Sequence, residues 1–250
     1  MFQPKAKYSA IQSALNISEL IYHAIVRDVR KSHGNAFWAL GSNMLTAIIF
    51  VLAFYVMFSL LGLKGARLRG DFLLYMMSGI FLFLTHIKAL GAVAGAEGPS
   101  SPMMQHAPMN TLVSICSEAL AILYTQTIAV LCILLLIHTV IMPVEIHNWP
   151  GAMKMFLLAC GNGVVLGIIF MAWKPWLPDL VQILSMVYIR ANMIFSGKMF
   201  LANTMPEMML PAFRWNPLFH IIDQTRGYVF VNYFPHNTNV AYPFYFTLSA

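Results

Sequence analysis

The chain is poor in charge. Asp, Glu, Lys and Arg make up 10% of its 250 residues, against about 25% in an ordinary soluble domain, and a soluble globular fold is excluded on that ground. Cysteine is scarce as well. Cys116, Cys132 and Cys160 lie singly within apolar stretches and form no C-x-x-C pair, so small packing roles suffice for them. No P-loop is present, because the glycine-rich run from Gly91 to Gly98 lacks the Gly-Lys-Ser/Thr ending that holds phosphate and magnesium. The chain cannot be its own ATPase. The eight histidines include no H-E-x-x-H pair, Glu145 and His147 stand without a third ligand, and no G-x-S-x-G elbow occurs. No cofactor or metal is therefore expected in this chain. The net charge of +6 comes from basic residues scattered among apolar segments rather than gathered in a patch, which argues against a nucleic-acid partner.

What the sequence has in quantity is long apolar runs. A bilayer core about 30 Å thick needs on the order of 20 apolar residues in helix. Five segments meet that length: Phe37 to Leu61, Phe72 to Ala94, Thr111 to His138, Ala152 to Trp173 and Trp176 to Leu201. The expected fold is all-α, a polytopic transmembrane bundle in a single domain over residues 1–250. Nothing at the start reads as a removable signal. Residues 11–31 carry Leu15, Ile21, Ile25 and Val29 at helical spacing with Glu19, Arg27 and Asp28 between them, the pattern of an amphipathic helix lying in the membrane interface. The basic cluster Arg27, Arg30 and Lys31 precedes the first span and predicts a cytoplasmic N-terminus, although Lys64, Arg67 and Arg69 pull against that orientation. The connection from Gly95 to Asn110, broken by Pro99, Pro102 and Pro108, reads as an exposed cytoplasmic elbow.

After the fifth span the pattern changes. Pro206 and Pro211 interrupt an apolar stretch, and Asn216 followed by Pro217 then suits a helix start carrying Leu218 to Val231. Residues 203–231 are expected to form a re-entrant external hairpin. From residue 240 to 250 the chain offers about half a span.

Polar residues inside the spans are the candidates for function, because burial in hydrocarbon is costly. Thr111, Ser114, Glu118 and Thr125 share one face of the third span, and Gln182, Ser185, Asn192 and Ser196 share one face of the fifth. Either stripe serves helix-to-helix hydrogen bonding or a hydrophilic conduit. Gly91 with Gly95 and Gly163 with Gly167 give two G-x-x-x-G spacings for close helix packing. His220, Asp223 and Arg226 share the hairpin helix, with Asp223 and Arg226 at pairing distance. They form either an acid–base site or, more simply, a cluster that fixes the helix.

The order of elements resembles a known family. Arg27, Asp28, Arg30 and Lys31 ahead of the aromatic pair Phe37 and Trp38, the proline-broken elbow, and Asn216, Pro217, Leu218, His220 and Arg226 after the fifth span are similar to the membrane subunit of type-2 ATP-binding-cassette exporters. The branch it resembles exports capsular polysaccharide and lipopolysaccharide O-antigen. The resemblance implies a homodimeric, multi-pass permease of the bacterial inner membrane with six spans per subunit. ATP is bound and hydrolysed by a separate subunit, so the permease is not an enzyme. Its implied ATPase-docking surfaces are the interface helix, with Arg27, Asp28, Arg30 and Lys31, and the elbow, with Gln105 and His106. A path for polysaccharide between the two copies would draw on Glu118, Gln182, Ser185, Asn192, Ser196, Asn216, Pro217, His220, Asp223 and Arg226. The sixth span of the family is at best begun by Tyr242 to Ala250, so the chain is truncated or the hairpin substitutes for it. A drug or small-lipid permease, or a membrane enzyme acting on lipid-linked sugars through His220, Asp223 and Glu118, are the competing readings.

Overall fold

A computed structural model describes residues 10–31, 36–60, 72–96, 98, 110–141 and 143–249. The described residues form helices joined by turns, with no strand among them. Gln105 and His106 lie outside the described residues, as do the basic connection 64–70 and the side chains of Arg30 and Lys31.

Helix α1 (Ala10–Lys31) is the amphipathic segment. It packs along α4 (Thr111–Val140), with a lesser contact on α2 (Ala36–Leu60). The side chain of Asn110 opens α4 by accepting the Leu112 N–H, the usual way to satisfy an otherwise orphaned donor at a helix start. Four helices are long and apolar enough to cross a membrane: α2, α3 (Phe72–Ala94), α4 and α5 (Trp149–Trp173). Their sequences are apolar on nearly every face, so packing rather than amphipathic pattern decides which of them is interior. The interior one is α3, whose buried residues run from Leu74 to Val93.

Helices α3 and α5 form the most extensive pair, and glycine explains how they come so close. A Cβ at Gly163 would strike the His86 carbonyl oxygen, and one at Gly167 would stand 2.8 Å from Val93 Cβ and 2.9 Å from Leu90 O. The second G-x-x-x-G does not pack this way. A Cβ at Gly91 meets nothing within 4 Å, and one at Gly95 meets only carbonyls of its own helix. The residues opposite decide the matter, and Gly91 faces an open groove.

The fifth expected span differs most from expectation. Instead of running from Trp176 to Leu201, α6 spans Pro178–Phe195, 18 residues, and it is not among the four helices apolar enough to cross. Its stop is Gly197, which sits at φ +67° where its Cβ would collide with the Phe219 ring. Only glycine takes that left-handed conformation at no steric cost. A single 3-10 turn (Ala202–Thr204) and the short α7 (Leu210–Arg214) lead to α8 (Pro217–Val229). Expected as an external hairpin helix, α8 is instead buried along ten of its residues and packs on α5 and α3. The chain closes with the nine-residue α9 (Ala241–Ser249).

Candidate functional site

Seven of the sequence-predicted residues converge at the corner where α6, α7 and α8 meet. Asn216 is the N-cap of α8, accepting the Leu218 N–H at 3.0 Å, with Pro217 at the next position. Its amide nitrogen donates to Asn192 Oδ1 at 2.8 Å and to Phe195 O at 3.0 Å, which ties the start of α8 to the end of α6. Asn192 in turn donates to Tyr188 O. Ser196 is fully buried beside them, its hydroxyl without a hydrogen bond.

Asp223 and Arg226 do not pair. Arg226 is fully buried and spreads its guanidinium over backbone: Nη1 donates to Gly197 O at 3.0 Å and Phe200 O at 2.6 Å, and Nη2 to Lys198 O at 2.6 Å. Its plane lies over the Tyr75 ring, 4.3 Å from the centroid. Asp223 Oδ1 accepts from the Tyr233 hydroxyl and the Ala202 N–H, while Oδ2 accepts from Thr238 Oγ1 at 2.8 Å. The expected one-turn ion pair loses because each charge finds several partners on segments that otherwise have no fixed place. A fork of fixed donors suits three converging carbonyls as no lysine could. The two charges act as separate clamps, Arg226 on residues 197–200 and Asp223 on the segments at 202 and 233–238.

His220 completes the corner. Its Nδ1 accepts the Asn239 N–H at 3.0 Å, so the proton of the neutral ring is on Nε2, which donates to Arg214 O at 2.9 Å. With both ring nitrogens and both Asp223 oxygens engaged, neither group is available as a general acid or base. Glu118, the third residue of the enzyme reading, lies elsewhere, in a cavity formed by α1 to α4.

The remaining predicted residues are not part of this corner. The polar stripe of α6 divides: Gln182 and Ser185 line a groove of about 360 Å³ with Leu90, Gly91, Lys174 and Asp179, roughly 20 Å along the helix from Ser196. Asp28, assigned to the docking surface, is buried. It accepts from Ser117 Oγ at 2.8 Å and pairs with Arg27 at 3.0 Å, and so holds α1 on α4.

Three polar groups escaped the sequence reading. Lys198 is buried with its Nζ free of hydrogen bonds, 3.5 Å from the Phe83 ring centroid and within 6 Å of Phe50 and Phe54, and cation–π attraction is its compensation. His86 is fully buried, its ring nitrogens at 3.2 Å from Ala159 O and 2.9 Å from Tyr188 Oη. Lys88 donates to Asn43 Oδ1, which also accepts from Gln126 Nε2 at 2.8 Å. An ionisable residue inside an apolar span is itself the signal that could have found His86 and Lys88.

No protein-family model matches the chain. Two curated Escherichia coli proteins, each named polysialic acid transport protein KpsM, are similar to it. One is 21% identical over 182 residues, covering 71% of this chain and 69% of the relative; the other is 22% identical over 203 residues, covering 77% and 75%. The similarity extends over most of both partners, and it is to transport proteins. The chain is a multi-pass membrane protein, and it belongs with the permease subunits of type-2 ATP-binding-cassette exporters, which are transport proteins and not enzymes.

Proposed function

We propose that the chain is the membrane subunit of a polysaccharide exporter of the bacterial inner membrane, acting as a homodimer with a separate ATP-hydrolysing subunit. The similarity to proteins named for polysialic acid transport carries the substrate class. The N-terminus and the elbow holding Gln105 and His106 face the cytoplasm in this reading, and the elbow together with the Arg27 to Lys31 end of α1 receives the ATPase. The α6–α8 corner, from Asn192 to Arg226, holds the external mouth of the path in shape rather than contacting the polymer, which agrees with the internal use of its polar groups. Copurification tests the partner. The tagged chain should retain a P-loop ATPase through detergent extraction, and replacing Gln105 and His106 by glutamate should weaken that retention. A chain that copurifies with no ATPase yet transfers sugar to a lipid acceptor would replace this reading by the enzyme one.

A further inference from the structure

Helices α1, α2, α3 and α4 enclose a polar cavity of about 370 Å³, within the roughly 300–1,000 Å³ typical of small-ligand sites. Its polar walls include Lys88 from α3, Glu118 from α4, Asn43 and Thr46 from α2, Gln126 from α4 and Asp28 from α1. Asn43, Lys88 and Glu118 each stand about 10 Å from the same end of their helices, at 1.5 Å per residue. That is the level where headgroups give way to acyl chains, and it is where an amphipathic helix such as α1 rests.

The charges facing this space are of opposite sign and are not paired with one another. Two ion pairs occur among the described residues, His23 with Glu19 and Arg27 with Asp28. Neither involves Lys88, whose ammonium meets only the neutral oxygen of Asn43. Asp28 is occupied by Arg27 and Ser117. A cation on the α3 wall and a carboxylate on the α4 wall, at headgroup depth, suit a ligand that carries both signs. A neutral sugar would leave Lys88 without a counter-charge, and a polyanion would be set against Glu118 and Asp28.

We propose that this cavity seats the zwitterionic phosphoethanolamine headgroup of a membrane phospholipid. The phosphate takes the free N–H groups of Lys88, and the primary ammonium donates to Glu118 and to the Gln126 side-chain oxygen. A charge-assisted contact at each end gives selectivity for this headgroup over ones with a single charge. Because Asp28 and Ser117 close one wall, occupancy also steadies α1 against α4. This inference is independent of which polymer is exported.

The test uses the full-length protein in a neutral detergent after delipidation, with the melting temperature followed as lipid is added, since a ligand that binds only the folded state raises it in a saturable way. Phosphatidylethanolamine should raise it at concentrations at least about tenfold lower than phosphatidylglycerol, which lacks the ammonium, or phosphatidylcholine, which lacks its N–H donors. Soluble O-phosphoethanolamine should reproduce the shift at higher concentration. Lys88→Met and Glu118→Gln should each lose the preference, while Lys88→Arg keeps it. The wild-type selectivity decides by itself if a variant fails to fold. An equal response to phosphatidylglycerol would make this an anion site, an equal response to phosphatidylcholine would make it general lipid solvation, and a shift with a free monosaccharide in place of phosphoethanolamine would make it a sugar site. Each of these, or no shift at all, overturns the proposal.

Discussion

Gly79 on α3 and Arg226 on α8 are fitted to each other: a Cβ added to the glycine would lie 3.0 Å from Arg226 Nη2 and 2.7 Å from the Lys198 carbonyl that the arginine holds. The missing side chain of one residue makes room for the guanidinium of the other and for the backbone that crosses between them. Arg226→Ala leaves three inward carbonyls without their donor, and the loss should be about 3 kcal/mol or more. Arg226→Lys should recover little of it, because a single ammonium cannot reproduce the fork. Thermal melting of the detergent-purified protein measures both. Full recovery by lysine would mean that charge alone matters there.

The two G-x-x-x-G pairs should respond differently. Gly163→Ala forces α3 and α5 apart at the His86 carbonyl and should cost about 2–3 kcal/mol by overpacking. Gly91→Ala meets open space and should be neutral or slightly stabilising, since alanine is the better helix former. Expression level and melting temperature of the two variants, side by side, check this. Equal damage at both positions would mean that Gly91 packs on something outside this chain.

Within the α6–α8 corner, Asn216→Ala removes the cap of α8 and the bridge to Asn192, worth about 1 kcal/mol each. Ser196→Ala deletes a buried hydroxyl that makes no hydrogen bond and should leave stability unchanged or raise it. The pair of melting curves separates a polar network that holds α8 from general sensitivity of the corner. A destabilised Ser196→Ala would show that the hydroxyl has a partner in the assembled membrane protein.

The anchoring of α1 rests on Asp28 and Ser117. Asp28→Asn together with Ser117→Ala should loosen α1 and raise its protease sensitivity several-fold, with the spanning helices unaffected. Limited proteolysis followed by mass spectrometry reads this directly. Unchanged cleavage would assign the hold on α1 to its apolar face.

Helix existence was legible in the sequence because it depends on length and apolarity, and α3, α4 and α5 fall close to the segments expected. The N-cap at Asn216 was legible for a similar reason, being local chemistry between near neighbours. The end of the fifth segment was not. Apolar residues continue past Gly197, and only the Phe219 ring, brought there by tertiary packing, explains why the chain turns at that point. Asp223 and Arg226 show the same limit. Three-residue spacing on one helix favours pairing, but it carries no information about carbonyls from residues 197–200 or a hydroxyl from Tyr233 arriving to compete. The polar stripes were read correctly as shared faces, yet a face does not say what stands opposite, and Glu118 and Gln182 prove to look into different spaces.

The central claim is that this permease moves polysaccharide only when coupled to a separate ATPase. The measurement that tests it most directly is uptake of labelled polysaccharide into inverted membrane vesicles containing the chain with and without the ATPase subunit. The account expects ATP-dependent uptake that requires both subunits and stops when hydrolysis is blocked. Uptake by the chain alone, or the appearance of a sugar-transfer product in place of uptake, would contradict it.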